Sequence, residues 1–296
     1  MKIYAPKYYE SFKCIADGCT HSCCMGWRIS IDPQSAAKYA ELGGEYASAI
    51  RESIAHDADG AYIPLTECGR CPHLSEKGLC RIIEEYGEDC IAQICREHPR
   101  FYNDQGDRIE VGLGASCPEA SRIILASQID DELKPICEDD EEAGAPALEV
   151  YKHRGVAFEI LKACDGYNEV EDRLCEIYRI PRTLFDVGAR RMLFDGLEYL
   201  HADTRDMITS IGGVKIDDEY SARMLWYFLY RHLCGIEDES EARTIIAFAL
   251  LSVHAVWSIC SEVGEITKAF RIYSEEIEYS TDNVEALMLD LSFELI

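Results

Sequence analysis

Apolar residues recur at spacings of three and four through most of the second half of the chain. Between 151 and 164, Val156, Ile160, Leu161 and Cys164 fall on one helical face. Leu184, Val187, Met192, Leu193, Leu197 and Leu200 repeat the pattern between 183 and 200. Segments near 219–234, 239–262, 264–279 and 282–293 carry the same period, which predicts amphipathic helices. Asp238 and Asp282 stand where N-caps belong, and Gly235 and Gly264 where helices stop or start. Alternation with a period of two is confined to 27–32 and 109–113, predicting two strands. The most apolar stretch, 244–260, is 17 residues long and holds Ser252, His254 and Ser258. That is short for a bilayer span, and it reads as a buried helix.

The first part of the chain is different in kind. It has many Gly and Pro residues and few long periodic runs, so it is expected to be loop-rich and held by ligands more than by packing. The change falls at 137–146, where Cys137-Glu138-Asp139-Asp140-Glu141-Glu142-Ala143-Gly144-Ala145-Pro146 joins an acidic run to Gly and Pro. The expectation is a mainly α protein: an irregular cysteine-rich metal-binding module over 1–136, followed by a helical domain over 147–296. A length of 296 residues fits two such domains. No internal repeat is visible at solenoid periods.

Composition narrows the function. The chain carries 29 basic against 55 acidic side chains, a formal net charge of −26. Nucleic acid is an unfavourable partner for such a surface, because phosphate binding needs clustered Lys and Arg. A basic or Lys-bearing partner suits it, although solubility alone also explains the charge. No apolar run follows the basic residues at the N-terminus, so a cytoplasmic protein with no membrane association is expected. Fifteen cysteines are present, and ten of them lie in the first 117 residues. In a reducing compartment such a density points to metal binding before disulfides. Cys137, Cys164, Cys175, Cys234 and Cys260 are scattered among apolar neighbours and read as small core residues.

The cysteine pattern runs Cys14-x4-Cys19-x3-Cys23-Cys24, then Cys71-Pro72-His73-Leu74, Gly78-Leu79-Cys80, Cys95-Arg96-Glu97-His98-Pro99-Arg100 and Ser116-Cys117-Pro118-Glu119. Four thiolates satisfy either a tetrahedral zinc or an iron–sulfur cube. Adjacent Cys23 and Cys24 cannot both point the same way, so they serve different sites, or one ligates while the other packs. The radical-forming spacing Cys-x3-Cys-x2-Cys is absent, since the third position after Cys19 and Cys23 is Gly26. His21, His73 and His98 sit beside these positions as possible replacements for a thiol, and Trp27 as a packed wall against water. Arg96 and Arg100 would either offset thiolate charge or form ordinary ion pairs.

These residues resemble the cysteine-rich zinc- or iron-chelating family, and more closely the flagellin lysine N-methylase family of bacteria. The resemblance rests on Tyr8-x3-Phe12-x-Cys14-x4-Cys19-x3-Cys23-Cys24-x2-Trp27-x-Ile29-x-Ile31-Asp32 and the later cysteine turns. Tyr273-Ser274-x2-Ile277-Glu278-x-Ser280-x2-Asn283 near the C-terminus adds to it. It implies methyl transfer from S-adenosyl-L-methionine to lysine side chains of flagellin or another lysine-bearing protein. It also implies a cluster, [4Fe–4S] with zinc as the alternative, on ligands drawn from Cys19, Cys23, Cys24, Cys71, Cys80, Cys95 and Cys117. Seven candidates exceed four, so either a second metal binds or some thiols only pack; Cys68 and Cys90 fall outside the pattern.

Methylation requires a neutral amine, hence a proton acceptor and a dry pocket. Trp226-Tyr227-Phe228-Leu229-Tyr230-Arg231-His232 places aromatics, a cation and a titratable ring on one helix. Tyr227 and Tyr230 share a face, Arg231 lies four beyond Tyr227, and Tyr273, Glu278 and Tyr279 join them if the last helices pack back. Tyr227, Tyr230 and Glu278 are the catalytic candidates, with Arg231 a partner for the donor's carboxylate; a plain aromatic core is the competing reading. Gly112-x-Gly114 and Gly212-Gly213 are too bare to mark a dinucleotide-type loop. A non-enzymatic metal-binding interaction module and a redox iron–sulfur protein remain alternatives to the enzyme.

Overall fold

The computed structural model describes residues 1–129, 132–138, 142–209, 216 and 218–296. Asp139, Asp140 and Glu141 of the acidic run, and Gly212-Gly213, lie outside the described residues. Two compact units form: Lys13–Pro99, and Met1–Phe12 together with Arg100–Ile296. The chain therefore leaves the larger unit after twelve residues and returns to it at Arg100. The division does not fall at 137–146. Strand β1 (Lys2–Pro6) belongs to a sheet of the larger unit, and the stretch just before the acidic run is its antiparallel neighbour.

In the smaller unit a three-stranded antiparallel sheet has the order β2–β4–β3, with β2 (Ile29–Ile31), β3 (Ala55–Asp57) and β4 (Gly60–Ile63). Helices α1 (Pro33–Glu41), α2 (Glu45–Ser53), α3 (Arg81–Tyr86) and α4 (Gln93–Glu97) complete it. Its core is small: Ile29, Ile31, Tyr39, Ile50, Ile63 and Ile82, with Cys71 among them. Asp32 links two helices. It caps α1, accepting from the Ser35 N–H at 2.8 Å and the Ser35 hydroxyl at 2.5 Å, while Pro33 fills the first helical position. The same carboxylate accepts from the Gln93 N–H at 3.1 Å and so fixes the start of α4.

The larger unit holds a four-stranded sheet in the order β5–β6–β1–β7, with β5 (Arg100–Asp104), β6 (Arg108–Leu113) and β7 (Leu133–Glu138). Strands β1 and β6 run parallel, and the other pairs are antiparallel. Gly112 sits opposite Phe101 on β5, and a Cβ there would come within 2.3 Å of the Phe101 ring. This glycine serves close packing.

The helices of this unit are α5 (Pro118–Ala126), α6 (Leu148–Ala163), α7 (Tyr167–Tyr178), α8 (Arg191–Asp195), α9 (Ala202–Thr209), α10 (Asp218–His232), α11 (Glu239–Val263), α12 (Ile266–Tyr273) and α13 (Thr281–Glu294). A π-helical turn, Ser274–Glu278, joins the last two. The mainly α expectation is met. Helix α11 is long and apolar enough to cross a membrane by length and composition, yet 72% of its apolar window is buried inside the protein. Asp238 caps it, accepting from the Glu241 N–H at 3.0 Å, and Gly264 ends it in the left-handed region.

Two local expectations fail. The helix foreseen over 183–200 is only a 3₁₀ turn (Arg182–Phe185) and the five-residue α8. Asp186 accepts from the Ala189 N–H at 3.0 Å and Arg190 donates to the Leu184 carbonyl at 2.8 Å, so side chains replace the helical ladder. Ser280, not Asp282, caps α13, accepting from the Asn283 N–H at 3.2 Å.

Burial alone would raise the Asp32 carboxyl, but the Ser35 hydroxyl and N–H and the Gln93 N–H bring it down to about 2. A depressed carboxylate stabilises the fold above its unfolded value of about 3.9 and loses that contribution as pH falls toward 2. Asp32→Ala is therefore expected to cost about 1 kcal/mol in urea unfolding at neutral pH. The difference from wild type should shrink below about pH 4; a constant difference would remove this role.

Candidate functional site

Four cysteines of the smaller unit come together from separate stretches. The Cys71 N–H donates to the Cys24 carbonyl at 2.8 Å, the Gly26 N–H to the Gly69 carbonyl at 2.9 Å, and Met25 bridges Arg70. This backbone pairing sets the Cys24 loop against the Cys71 turn. A second bridge, Leu74 to Cys80, folds that turn back, and Cys80 becomes the N-cap residue of α3. Cys95 lies in α4, which Asp32 holds. Cys71 is buried, and Cys24, Cys80 and Cys95 are half-buried against the same small core.

Their ionisation shows the shared neighbourhood. Burial first, then the charge of nearby thiols, pushes Cys71 up to about 11 and Cys95 up to about 12, and raises Cys80. Cys24 acts on all three. A hydrogen bond between Cys23 and Cys24 raises Cys23 and lowers Cys24, with Ser22 and Arg70 also favouring the Cys24 thiolate. Cys23 is exposed while Cys24 packs, so the adjacent pair divides its duties.

Among the described residues, no three His, Cys, Asp or Glu side chains are close enough to hold a metal ion together. The thiols are neighbours without a ligating geometry. As a donor set, Cys24, Cys71, Cys80 and Cys95 nonetheless have the chemistry of a zinc or iron–sulfur centre: four soft donors, three on backbone-braced loops and one on α4.

The other candidates have their own settings. The Cys19 thiol donates to the His21 carbonyl at 2.8 Å, and Cys117 is the N-cap residue of α5 in the larger unit. His73 is closed to a metal. Its Nδ1 meets the Tyr46 hydroxyl at 2.7 Å and its Nε2 the Ser53 hydroxyl at 2.9 Å. Ser53 donates to the Ile50 carbonyl, so Nε2 carries the proton and Nδ1 accepts. Trp27 donates to the Cys23 carbonyl at 2.6 Å and faces the His98 ring at 6.0 Å. Arg100 donates to the Tyr9 hydroxyl at 2.9 Å within the larger unit.

The larger unit assembles the second candidate cluster. Tyr227 and Arg231 are one turn apart on α10, and Glu278 enters from the end of the π-helical turn. The Tyr227 hydroxyl donates to Glu278 at 3.0 Å and accepts from the Ala115 N–H at 3.0 Å and Arg231 at 2.7 Å. Arg231 also reaches the Glu278 carboxylate at 3.5 Å, between the rings of Phe101 and Tyr279 at 5.2 and 4.8 Å. His232 Nε2 meets the same carboxylate oxygen, Oε1, at 2.7 Å, leaving Oε2 to Tyr227. The Glu278 side chain is 0% exposed, so these partners stand in for water.

Burial opposes the charge on Glu278, but Arg231 and His232 outweigh it and hold the carboxyl below its ordinary range. Burial dominates at His232 and lowers its pKa, leaving a neutral ring. Burial likewise keeps Tyr227 protonated. The arrangement offers an oriented carboxylate, a phenol and a neutral imidazole in a dry setting. Arg231 spends its donors on Tyr227 and Glu278, which makes it a holder of Glu278. Tyr230 stands apart: its hydroxyl donates to the Val111 carbonyl at 3.0 Å and its ring stacks on Trp226 at 5.2 Å. Tyr273 bonds Ser252 at 2.7 Å. The parts sequence reasoning did not supply are the Ala115 N–H and a buried bidentate pair, Arg154 with Glu110 at 2.5 and 2.8 Å. Neither has a local signal, since the partners are 112 and 44 positions apart.

Fold and site together define a mainly helical protein with a cysteine-lined loop unit and a buried tyrosine–carboxylate cluster. Over 126 residues, 40% of this chain and 75% of the relative, it is 27% identical to the flagellar biosynthetic protein FliU of Salmonella muenchen. Over 128 residues it is 25% identical to the lysine-N-methylases of Salmonella typhimurium and Salmonella choleraesuis. Those matches cover 40% of this chain and 31% of each relative, so the chain spans about a third of the lysine-N-methylases it matches. The resemblance to the flagellin lysine N-methylase family is borne out by these relatives. No protein-family model and no solved structure matches.

Glu278→Ala strips the counter-charge from a buried arginine and is expected to cost about 3–5 kcal/mol of stability. Tyr227→Phe removes one hydroxyl that joins three groups and is expected to cost about 1–3 kcal/mol. Chemical denaturation measures both. Wild-type stability in the alanine variant would show that the ion pair contributes nothing to the fold.

Proposed function

We propose that this protein is a cytoplasmic enzyme that N-methylates lysine side chains of flagellin or another lysine-bearing protein, with S-adenosyl-L-methionine as methyl donor. The similarity to proteins named lysine-N-methylase carries the reading. The Tyr227–Glu278–His232 cluster supports it, because the amine forms its N–C bond, as the donor's S–methyl bond breaks and the electron pair stays on sulfur, only after it has lost its proton. A neutral His232 can take that proton, and Glu278 can stabilise the imidazolium that results. Tyr227 orients the carboxylate, and Arg231 holds both in register. Tyr230 is assigned to shaping the aromatic wall.

Cys24, Cys71, Cys80 and Cys95 would hold a [4Fe–4S] cluster, or zinc, in the smaller unit; Cys23 stands beside them. A centre of this type supplies a bound positive charge that draws protons off thiols and ties loops together, or a redox couple. Cys19 and Cys117 stay outside this set.

Anaerobically purified protein incubated with the donor and flagellin should raise the flagellin mass in steps of one methyl. Folded Tyr227→Phe protein should lose at least about a hundredfold in rate. Cys71→Ser and Cys95→Ser should each lower the iron or zinc content. Metal retained without any methyl transfer would favour the interaction module or redox protein instead. Full metal stoichiometry in both serine variants would overturn the ligand assignment.

A further inference from the structure

Helix α13 carries an exposed apolar row on an acidic background. Leu289 and Phe293, one turn apart, are 58% and 67% exposed, while Leu287 and Leu291 of the same helix are buried. The helix thus has a second apolar face beyond the one that packs into the core. Met192, 89% exposed, lies two residues from Arg190, which pairs with Asp290 beside Leu289. From 272 to 296 the chain has seven acidic residues and no Lys or Arg. The cations that approach α13 are committed: Arg190 to Asp290, and Arg243 to the Leu295 and Arg179 carbonyls at 2.6 and 2.5 Å. Glu285 lies one turn before Leu289, and Glu294 follows Phe293; both are exposed.

We propose that this face of α13 docks a basic amphipathic helix of a protein partner, with apolar side chains on Leu289 and Phe293 and lysines opposite Glu285 and Glu294. Charge complementarity selects the occupant, since a surface on which Asp282, Glu285 and Glu294 are exposed while Arg190 and Arg243 are committed elsewhere repels acidic partners and a second copy of itself. Apolar anchors spaced by one turn match helix-on-helix recognition. The docking deepens the proposed function, on which it rests in naming the lysine-bearing substrate as partner.

The test uses the whole chain with two labelled probes: monomeric flagellin, and a synthetic amphipathic helix with leucines one turn apart and lysines elsewhere. Fluorescence anisotropy should show binding of both that weakens as salt rises. The Leu289→Ser/Phe293→Ser variant should bind each about tenfold more weakly. The Glu285→Lys/Glu294→Lys variant should lose the salt dependence, and a helix with glutamates in place of lysines should not bind. Unchanged affinity in both variants overturns the proposal. So does a wild-type dimer that the serine variant converts to monomer, because the face would then be a self-interface. Variant-sensitive binding by wild-type protein that transfers no methyl group would leave the docking surface standing and remove the enzymatic reading alone.

Discussion

A fully buried carboxylate sets the terms for the larger unit. Glu278 has no water to solvate it, and an unpaired charge in such a place would cost several kcal/mol. Its charge therefore has to be met by protein groups, and each one constrains a separate element. Arg231 and Tyr227 must sit one turn apart on α10, and His232 must follow directly. The Tyr227 hydroxyl, already donating to Glu278, then draws the Ala115 N–H to it and fixes the link between β6 and α5. The widened turn Ser274–Glu278 places the carboxylate there. Its neighbour Glu276 accepts from the Leu200 N–H at 2.6 Å and the His201 N–H at 3.1 Å, satisfying the approach to α9. Asn283 closes the arrangement, donating to the carbonyls of Glu198 and Glu276 at 2.7 and 2.8 Å. One desolvated charge thus ties α10 and the β6–α5 link to the π-helical turn.

The smaller unit solves the opposite problem, too little apolar surface rather than a buried charge. Its core is a handful of isoleucines and one tyrosine, and loops supply the rest. Backbone pairs between the Cys24 and Cys71 stretches, and the Asp32 carboxylate shared by α1 and α4, do what side-chain packing does elsewhere. The thiols of Cys24, Cys71, Cys80 and Cys95 fill the same small volume as apolar groups while protonated. The raised pKa values of Cys71, Cys80 and Cys95 express that environment, while a hydrogen bond with Cys23 lowers Cys24. A group that is content as a buried thiol becomes a ligand only when a cation compensates for the lost proton.

The parts that were legible in the chain are those whose partners are close in sequence. Helices α6 and α13 follow from apolar residues at spacings of three and four, α10 and α11 from longer apolar runs, and Tyr227 with Arg231 from spacing by four. The Asp238 cap is equally local. Strand β1 is not, because its partners β6 and β7 lie more than a hundred residues away. That long-range pairing is also why the units part at 12/13 and 99/100 while composition changes near 140. The seven-cysteine set is what the family resemblance implies, and order along the chain does not reveal that Cys19 turns onto its own loop or that Cys117 stands at the N-cap position of α5. The pairing of α10 with Glu278 was foreseen only on condition that the last helices pack back; nothing within α10 itself specifies it.

The large negative charge reads differently once the interior acids are accounted for. Glu110 is held by Arg154, Glu278 by Arg231, Glu171 by His254 at 2.7 Å, and Glu276 by backbone donors. Each of these is tied to a specific structural demand and contributes little to the outward field. The surplus therefore belongs to the surface, where charge acts through solvent over about 8–10 Å and governs encounter more than fold. On the last 25 residues that surplus coincides with exposed leucine and phenylalanine. Apolar contact supplies affinity without choosing a sign of charge, and acidic residues choose the sign without much affinity. A surface combining the two favours basic over acidic contacts.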